Sequence, residues 1–330
     1  MTVVAVTGGT GAPGATSTAL ALLLTWPLPA GRRVILIEAD PDGGSILAGA
    51  LQGRVSAEYG LHQLGVAHRQ GNLVDAFFRQ LVDLSDGRRE RLLLPGLVDP
   101  TQASGLAYTW DPISQLAAGL GNQQIPHDVI VDLGRRGTTG ASAIVARRAD
   151  LVLPVVRGTL PSLAQAQPRL AALRNDLDTH GTGSDSIALV VIEQGRYSRQ
   201  EIGKHLEAPV LGLVPFDPER ARVLSDGEGD TGKRFLRSRY MRAARTAADA
   251  AINLAAQRRM RLAPRPTSGG QLPAGPEAPA PSDGWAQAAA YIRRSDTEPR
   301  PESPPEPHFE SPAEAEPAHR PAGEEAGHVR

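Results

Sequence analysis

Residues 7–18 read TGGTGAPGATST and follow directly on the apolar run TVVAV at 2–6. The stretch fits two phosphate-binding registers at once. In one, Gly9-x-Gly11-x-x-Gly14 is the glycine pattern of a dinucleotide site; in the other, Gly9-x-x-x-x-Gly14, then Ala15 and Thr16, is a P-loop with alanine where the pattern asks for lysine. Both need a strand before the loop and a helix after it, and the sequence offers both: a β-branched run, then the helix former ATSTALALLLTW at 15–26. The glycines let backbone approach phosphate closely, and the amides at a helix N-terminus attract anions. A purely structural tight turn is the plain alternative, against which stand four glycines in the seven residues 8–14.

Outward from this loop, short apolar runs alternate with helical patterns. The runs are TVVAVT (2–7), RVILIEA (33–39), RLLLP (91–95), DVIVDL (128–133), DLVLPVV (150–156), IALVVIE (187–193) and PVLGLVP (209–215). Most are apolar throughout, as strands buried on both faces are. Helices are expected between them, for example over 15–26, 72–84 and 160–177. This predicts an α/β fold with a doubly wound, mostly parallel sheet, whose ligand sites lie beyond the carboxyl ends of the strands.

Composition bounds the chemistry. With no cysteine in 330 residues, disulfides, thiolate catalysis and thiolate metal sites are excluded. A net charge of −1 gives no global pull towards nucleic acid or membrane, so such a partner needs a local patch. The start reads as a strand and not as a signal peptide, and no apolar run approaches the roughly 20 residues of a membrane span; a soluble, cytoplasmic protein is expected. From 264 to 330 the chain carries half of its 28 prolines among Glu, Ala and Ser, so 263–330 is expected to be a disordered tail. Within it, GWAQAAAYIRR at 284–294 has the spacing of a short helix, either transient or a docking motif.

In the dinucleotide register, TGGTGAPG looks like the loop of short-chain dehydrogenases, with Glu38 or Asp40 where a ribose-binding carboxylate belongs. Neither lysine, Lys204 or Lys233, follows a tyrosine at the spacing such enzymes use, which leaves an NAD(P)-binding protein without that catalytic pair. In the P-loop register the rest of the chain supplies more. IEADPDGG at 37–44 resembles the switch segment of the MinD/ParA family of deviant Walker NTPases; HDVIVDLG at 127–134 is similar to its Walker B strand. ARRADLVLPVVRGTLPSLAQAQ (146–167) and LEAPVLGLVPFDPERARVLSDG (206–227) look like the family's next strand and its final strand with the loop against the base. These motifs fall in order over most of residues 1–230.

The resemblance implies a P-loop NTPase domain over 1–262 that binds ATP or ADP with Mg2+. It implies phosphate contacts from Gly9, Thr10, Gly11, Ala12, Pro13, Gly14, Ala15, Thr16 and Ser17, and base contacts from Pro215, Asp217 and Pro218. Magnesium would be held at Thr16 and Asp132, and Asp40 would position the attacking water. The family pattern K-G-G-x-G-K-T-T falls on TGAPGATS, so Thr10 replaces the lysine that crosses a nucleotide-sandwiched dimer and Ala15 the lysine on the β- and γ-phosphates. At an effective dielectric near 20, an ammonium about 4 Å from a phosphate interacts at about 4 kcal/mol. Losing two such contacts predicts weak or absent hydrolysis with nucleotide binding retained. Arg135 and Arg136, just after Asp132, are either replacement charges or solvated loop residues.

Residues 233–261 form one helical pattern with a stripe of Leu236, Tyr240, Ala244, Ala247, Ala251 and Leu254, and with Arg237, Arg239, Arg242 and Arg245 clustered in its first half. It reads as a closing helix packed on the sheet or as a non-specific DNA surface; the alanine stripe makes membrane the weaker partner. By the resemblance the chain is a spatial regulator of chromosome or plasmid partitioning, or of septum, pilus or secretion-machinery positioning. It would act as a homodimer with a protein partner, close to the septum-site and pilus-assembly branch, where Walker A loops are irregular. A nucleotide-free pseudo-ATPase scaffold and an NAD(P)-binding Rossmann protein are the alternatives.

Overall fold

The computed structural model describes residues 1–9 and 14–263. Its strands are β1 (Val3–Thr7), β2 (Arg33–Glu38), β3 (Val82–Asp83), β4 (Arg91–Leu94), β5 (His127–Asp132), β6 (Leu151–Arg157), β7 (Leu189–Glu193) and β8 (Val210–Pro215). Every apolar run picked out in the sequence became a strand. They form one sheet in the order β3-β4-β2-β5-β1-β6-β7-β8, with β3 antiparallel to β4 and the other pairs parallel.

The helices are α1 (Ala15–Thr25), α2 (His62–Arg69), α3 (Leu73–Arg79), α4 (Trp110–Gly119), α5 (Ala143–Arg148), α6 (Leu160–His180), α7 (Arg199–His205), α8 (Pro218–Ser225), α9 (Lys233–Leu236) and α10 (Arg239–Leu262). The alternation of side chains along each strand assigns them to two layers. Val4, Val6, Val34, Leu36 and Ile130 point into a core shared with α1, α8, α9 and α10; Val3, Ala5, Ile35, Ile37 and Val129 point into one shared with α2 through α7. Each such Val, Leu or Ile side chain taken fully out of water contributes roughly 1.5–3 kcal/mol, which is why these strands are apolar on both faces.

The strand order decides between the two glycine registers. In a dinucleotide-binding sheet the first strand lies beside the second. Here β5 separates them, so β1 has β5 on one side and β6 on the other. The strand ending in Asp132 therefore flanks the glycine loop, as the P-loop register requires, and the Rossmann alternative is corrected on topology.

Two helix expectations are corrected as well. The pattern over 72–84 ends as a helix at Arg79, because Asp83 accepts from Ser85 N (2.8 Å) and Arg89 N (3.1 Å) and turns the chain back onto β4. The pattern over 233–261 breaks after Leu236, where Ser238 caps a new helix by accepting from Met241 N. Leu236 is consequently exposed and Leu254 only half-buried, while Tyr240, Ala244, Ala247 and Ala251 are buried as expected. The alanines have a purpose: a Cβ on Gly212 of β8 would lie 2.7 Å from the Ala247 Cβ, so only small residues let α10 approach the strand this closely. At its far end α10 is tied down by Arg258, which is buried and donates to Asp150 O, Thr182 O and Asp185, and by Arg259, which donates to Met1 O and Asp150. The expected tail and its helix at 284–294 lie outside the described residues, among which no helix is long and apolar enough to cross a membrane.

At the start of β5, His127 is 1% exposed with its ring against Phe78. Burial, helped by the positive charge of Arg33, lowers its pKa from 6.5 to about 4. The folded chain thus keeps a neutral imidazole where the unfolded chain protonates, so stability falls as pH drops from about 6.5 towards 4. His127→Gln is expected to shrink the difference in unfolding free energy between pH 7 and pH 4.5 by about 2 kcal/mol, measured by urea denaturation at both.

Candidate functional site

The carboxyl ends of the strands around β1 open on a cavity of about 380 Å3, lined by Gly14, Ala15, Thr16, Ser17, Asp40, Arg135, Arg157, Pro215, Asp217 and Pro218 among others. Its floor is the first turn of α1. Gly14 is the N-cap at φ 93°, a left-handed conformation that glycine adopts without strain, and no side chain caps the helix behind it. The amides of that turn therefore face the cavity with the positive end of the helix dipole. At the other end of α1, Arg91 donates to Leu23 O and Trp26 O, a cation on the carbonyl terminus where the dipole favours one.

Asp132 lies beneath Thr16 at 0% exposure. Gly134 N donates to its Oδ1 at 3.0 Å, while Oδ2 has no hydrogen-bond partner among the described residues. Burial drives the Asp132 pKa up to about 7, against the pull of the neighbouring Thr16 hydroxyl and the Gly134 amide; the carboxylates of Glu38 and Asp40 add to the rise. Thr16 is near enough to favour the charged form yet outside ordinary hydrogen-bond geometry with Oδ2. An orphaned carboxylate oxygen under a threonine hydroxyl, both hard donors, fits a magnesium ion whose remaining ligands are phosphate and water. Among the described residues no group of three or more His, Cys, Asp or Glu side chains is placed to hold a metal ion.

The loop after β5 is locked onto β1: Gly8 N and Thr7 Oγ1 both donate to Gly134 O, at 2.7 and 3.1 Å. Gly134 sits at φ 54°, and a Cβ there would overlap the Asp40 carboxyl, so Asp40 is packed directly on the glycine's Cα. Asp40 accepts from Asp42 N (2.9 Å). Burial raises its pKa and the negative charge of Asp42 adds to that, with Arg135 opposing.

Glu38 takes a different part from the ribose-binding one that the dinucleotide register offered it. It is 1% exposed and accepts from Ser45 N (2.6 Å), Ile46 N (3.0 Å) and Gly96 N (2.9 Å). With both oxygens held by backbone it cannot reach a ribose; it ties the segment carrying Asp40 to the loop after β4. The fit is tight, since a Cβ on Gly44 would lie 2.7 Å from Glu38 Oε2.

The candidate residues divide accordingly. Gly14, Ala15, Thr16, Ser17, Asp40, Arg135, Pro215, Asp217 and Pro218 line one cavity, with Asp132 directly below it. Asp217 does double duty, capping α8 by accepting from Arg220 N at 3.0 Å. Gly9 lines a separate small cavity of about 40 Å3 with Thr138 and Arg169. Thr10, Gly11, Ala12 and Pro13 lie outside the described residues. Arg136 is off the cavity wall and pairs with Asp42 at 3.6 Å; Arg135 is on the wall and reaches the same carboxylate at 3.9 Å. Sequence reasoning missed Arg157, Phe216 and Tyr240, all on the wall. The one available signal for Arg157 was its place at the carboxyl end of an apolar strand, where this class of sheet puts its ligands. Phe216, 46% exposed between Pro215 and Asp217, lines the cavity as well.

Arg237, Arg239, Arg242 and Arg245 are all exposed, away from the buried stripe of α10. Arg239 pairs with Glu193 (3.4 Å), Arg245 with Asp249 (3.8 Å), and Arg242 donates to Arg237 O.

No protein-family model matches the chain, and no curated protein matches it. Solved structures do. A ParA family ATPase from Chlorobium tepidum TLS superposes with a TM-score of 0.59 at 16% identity, over 75% of this chain and 98% of that one. The MinD of the MinC:MinD cell division complex of Aquifex aeolicus gives 0.56 at 20% identity, over 77% and 96%. The septum site-determining protein MinD of Pyrococcus horikoshii OT3, complexed with Mg-ADP, gives 0.53 at 15% identity, over 78% and 98%. The chain has the MinD/ParA-like P-loop fold.

Proposed function

We propose that this protein is a nucleotide-binding spatial regulator of the MinD/ParA kind, which binds ATP or ADP with magnesium and hydrolyses ATP slowly or not at all. The observation that carries the reading is Asp132 with its orphaned, fully buried Oδ2 beside Thr16, on the strand next to the glycine loop, where Thr16 lines a cavity large enough for a nucleotide. Thr16 and Asp132 would hold the metal, which when bound neutralises phosphate charge. The α1 amides face the phosphates, Asp40 is placed to orient a water, and the Pro215–Pro218 loop with Phe216 flanks the base. Thr10 and Ala15, standing where the family has lysines, account for the weak turnover. Action in the cytoplasm, as a homodimer and through a protein partner, belongs to the same reading. A MinD of this fold is held in complex with MinC, and another binds Mg-ADP. DNA contact through Arg237 and Arg242, with Arg239 and Arg245 released from their acidic partners, is the secondary surface; its affinity would fall steeply with salt.

Thermal unfolding with ATP, ADP, NAD and NADP, each with and without magnesium, tests this. A ligand at 100 times its Kd stabilises by about 2.7 kcal/mol, or roughly 5–10 °C for a domain of this size. We expect such a shift with ATP and ADP, dependent on magnesium. A shift with NAD or NADP alone overturns the reading, and no shift with any of them makes the protein a nucleotide-free scaffold.

A further inference from the structure

The cavity has lost the lysine at its phosphate end, and a nucleotide brings several negative charges to that point. Among the described residues on its wall, the positive side chains are Arg135 and Arg157, against the carboxylates of Asp40 and Asp217. Arg135 leans out of the site towards Asp42. Arg157 is differently placed. It is the last residue of β6, the strand that flanks β1 on the side away from Asp132, with Pro154 in register with Thr7 at the root of the glycine loop. Its backbone is held on both sides, by its own N–H donating to Ser162 Oγ (3.0 Å) and by Gly158 N donating to Ile192 O (3.0 Å). Asp132 and Arg157 thus bracket the loop from the two strands that neighbour β1, one suited to a dication and the other to an anion.

We propose that Arg157 supplies the phosphate-directed positive charge that the missing lysines would have supplied, reaching the nucleotide's phosphates from the strand beside the loop and not from the loop itself. The inference rests on the nucleotide reading above. A guanidinium suits this role, because its five N–H donors let it keep a contact within the protein and still present a two-pronged edge to phosphate oxygens, which a lysine ammonium does not. It also explains how alanine is tolerated at 15, since the charge enters from the end of β6 and not from the start of α1.

The test is calorimetric titration of the full chain with MgADP and with adenosine, for wild type, Arg157→Ala, Arg157→Lys and the double variant Ala15→Lys/Arg157→Ala. We expect Arg157→Ala to weaken MgADP at least ten-fold and adenosine less than two-fold, Arg157→Lys to recover part of the loss, and the double variant to recover more. Arg157→Ala binding MgADP within two-fold of wild type overturns the proposal and leaves the nucleotide reading standing. Equal losses for MgADP and adenosine mean a structural role and overturn it too. Wild type binding neither ligand removes the nucleotide reading and this inference together.

Discussion

Glu38→Ala is expected to lower the unfolding free energy by about 3–5 kcal/mol and to abolish magnesium-dependent stabilisation by nucleotide, although Glu38 does not line the cavity. Three backbone amides, from Ser45, Ile46 and Gly96, spend their hydrogen bonds on this one buried carboxylate, those of Ile46 and Gly96 out of reach of water. Each amide left buried without an acceptor costs about 1–3 kcal/mol, and the deleted side chain leaves a void. The energetic loss is local, so its structural result is local too: residues 39–46, which carry Asp40, lose their anchor. Glu38→Gln separates charge from shape. Its amide oxygen can still accept from Ser45 and Ile46, while its NH2 meets the Gly96 N–H, donor against donor, so about half of the alanine effect should remain. Urea denaturation alongside MgADP titration reads both consequences. An alanine variant within about 0.5 kcal/mol of wild type, in the range of an ordinary surface substitution, would show that the anchor is not one.

Gly134→Ala should produce the second large effect. The left-handed conformation there costs an L-residue about 1–2 kcal/mol, and the new methyl overlaps the Asp40 carboxyl. We expect a total of about 3 kcal/mol in stability, with Asp40 pushed off its seat. A double-mutant cycle isolates the collision. With Asp40→Ala already in place, the methyl has room, and Gly134→Ala should then cost only the backbone part, about 1–2 kcal/mol. Additive effects of the two substitutions would mean that Asp40 is not held by contact with Gly134.

Much of this was legible in the sequence because sheet burial writes itself in composition. A strand covered on both faces is apolar through its middle, with polar residues left to its ends, and each of the seven apolar runs became a strand. β3 was missed because two residues carry no period; it exists because the Asp83 side chain turns the chain, which a helical pattern over 72–84 conceals. The break at Ser238 was hidden in the same way, since Ser-Arg-Tyr continues the helical spacing while the serine hydroxyl ends one helix and starts another. Thr16, Asp40 and Asp132 were singled out by resemblance, and the fold places them close together at the carboxyl ends of β1, β2 and β5. Glu38 was given a ligand role only in the dinucleotide register, because a carboxylate at a strand end looks the same in sequence whether it faces a ligand or buried backbone amides. Arg157 was given no role by any motif, and Phe216 was passed over between Pro215 and Asp217 because an aromatic inside a loop motif has no fixed part; only the assembled sheet brings both to one cavity.

The last turn of α10 grips Met1 and Asp150, which precede β1 and β6, so both ends of the described body emerge side by side at the amino ends of the strands, on the pole opposite the cavity. A label or surface linkage attached at residue 1 would therefore leave the cavity mouth open to solvent. The folded body could be immobilised by one pole and interrogated from the other, and its two ends could be joined by a short linker without threading past the site.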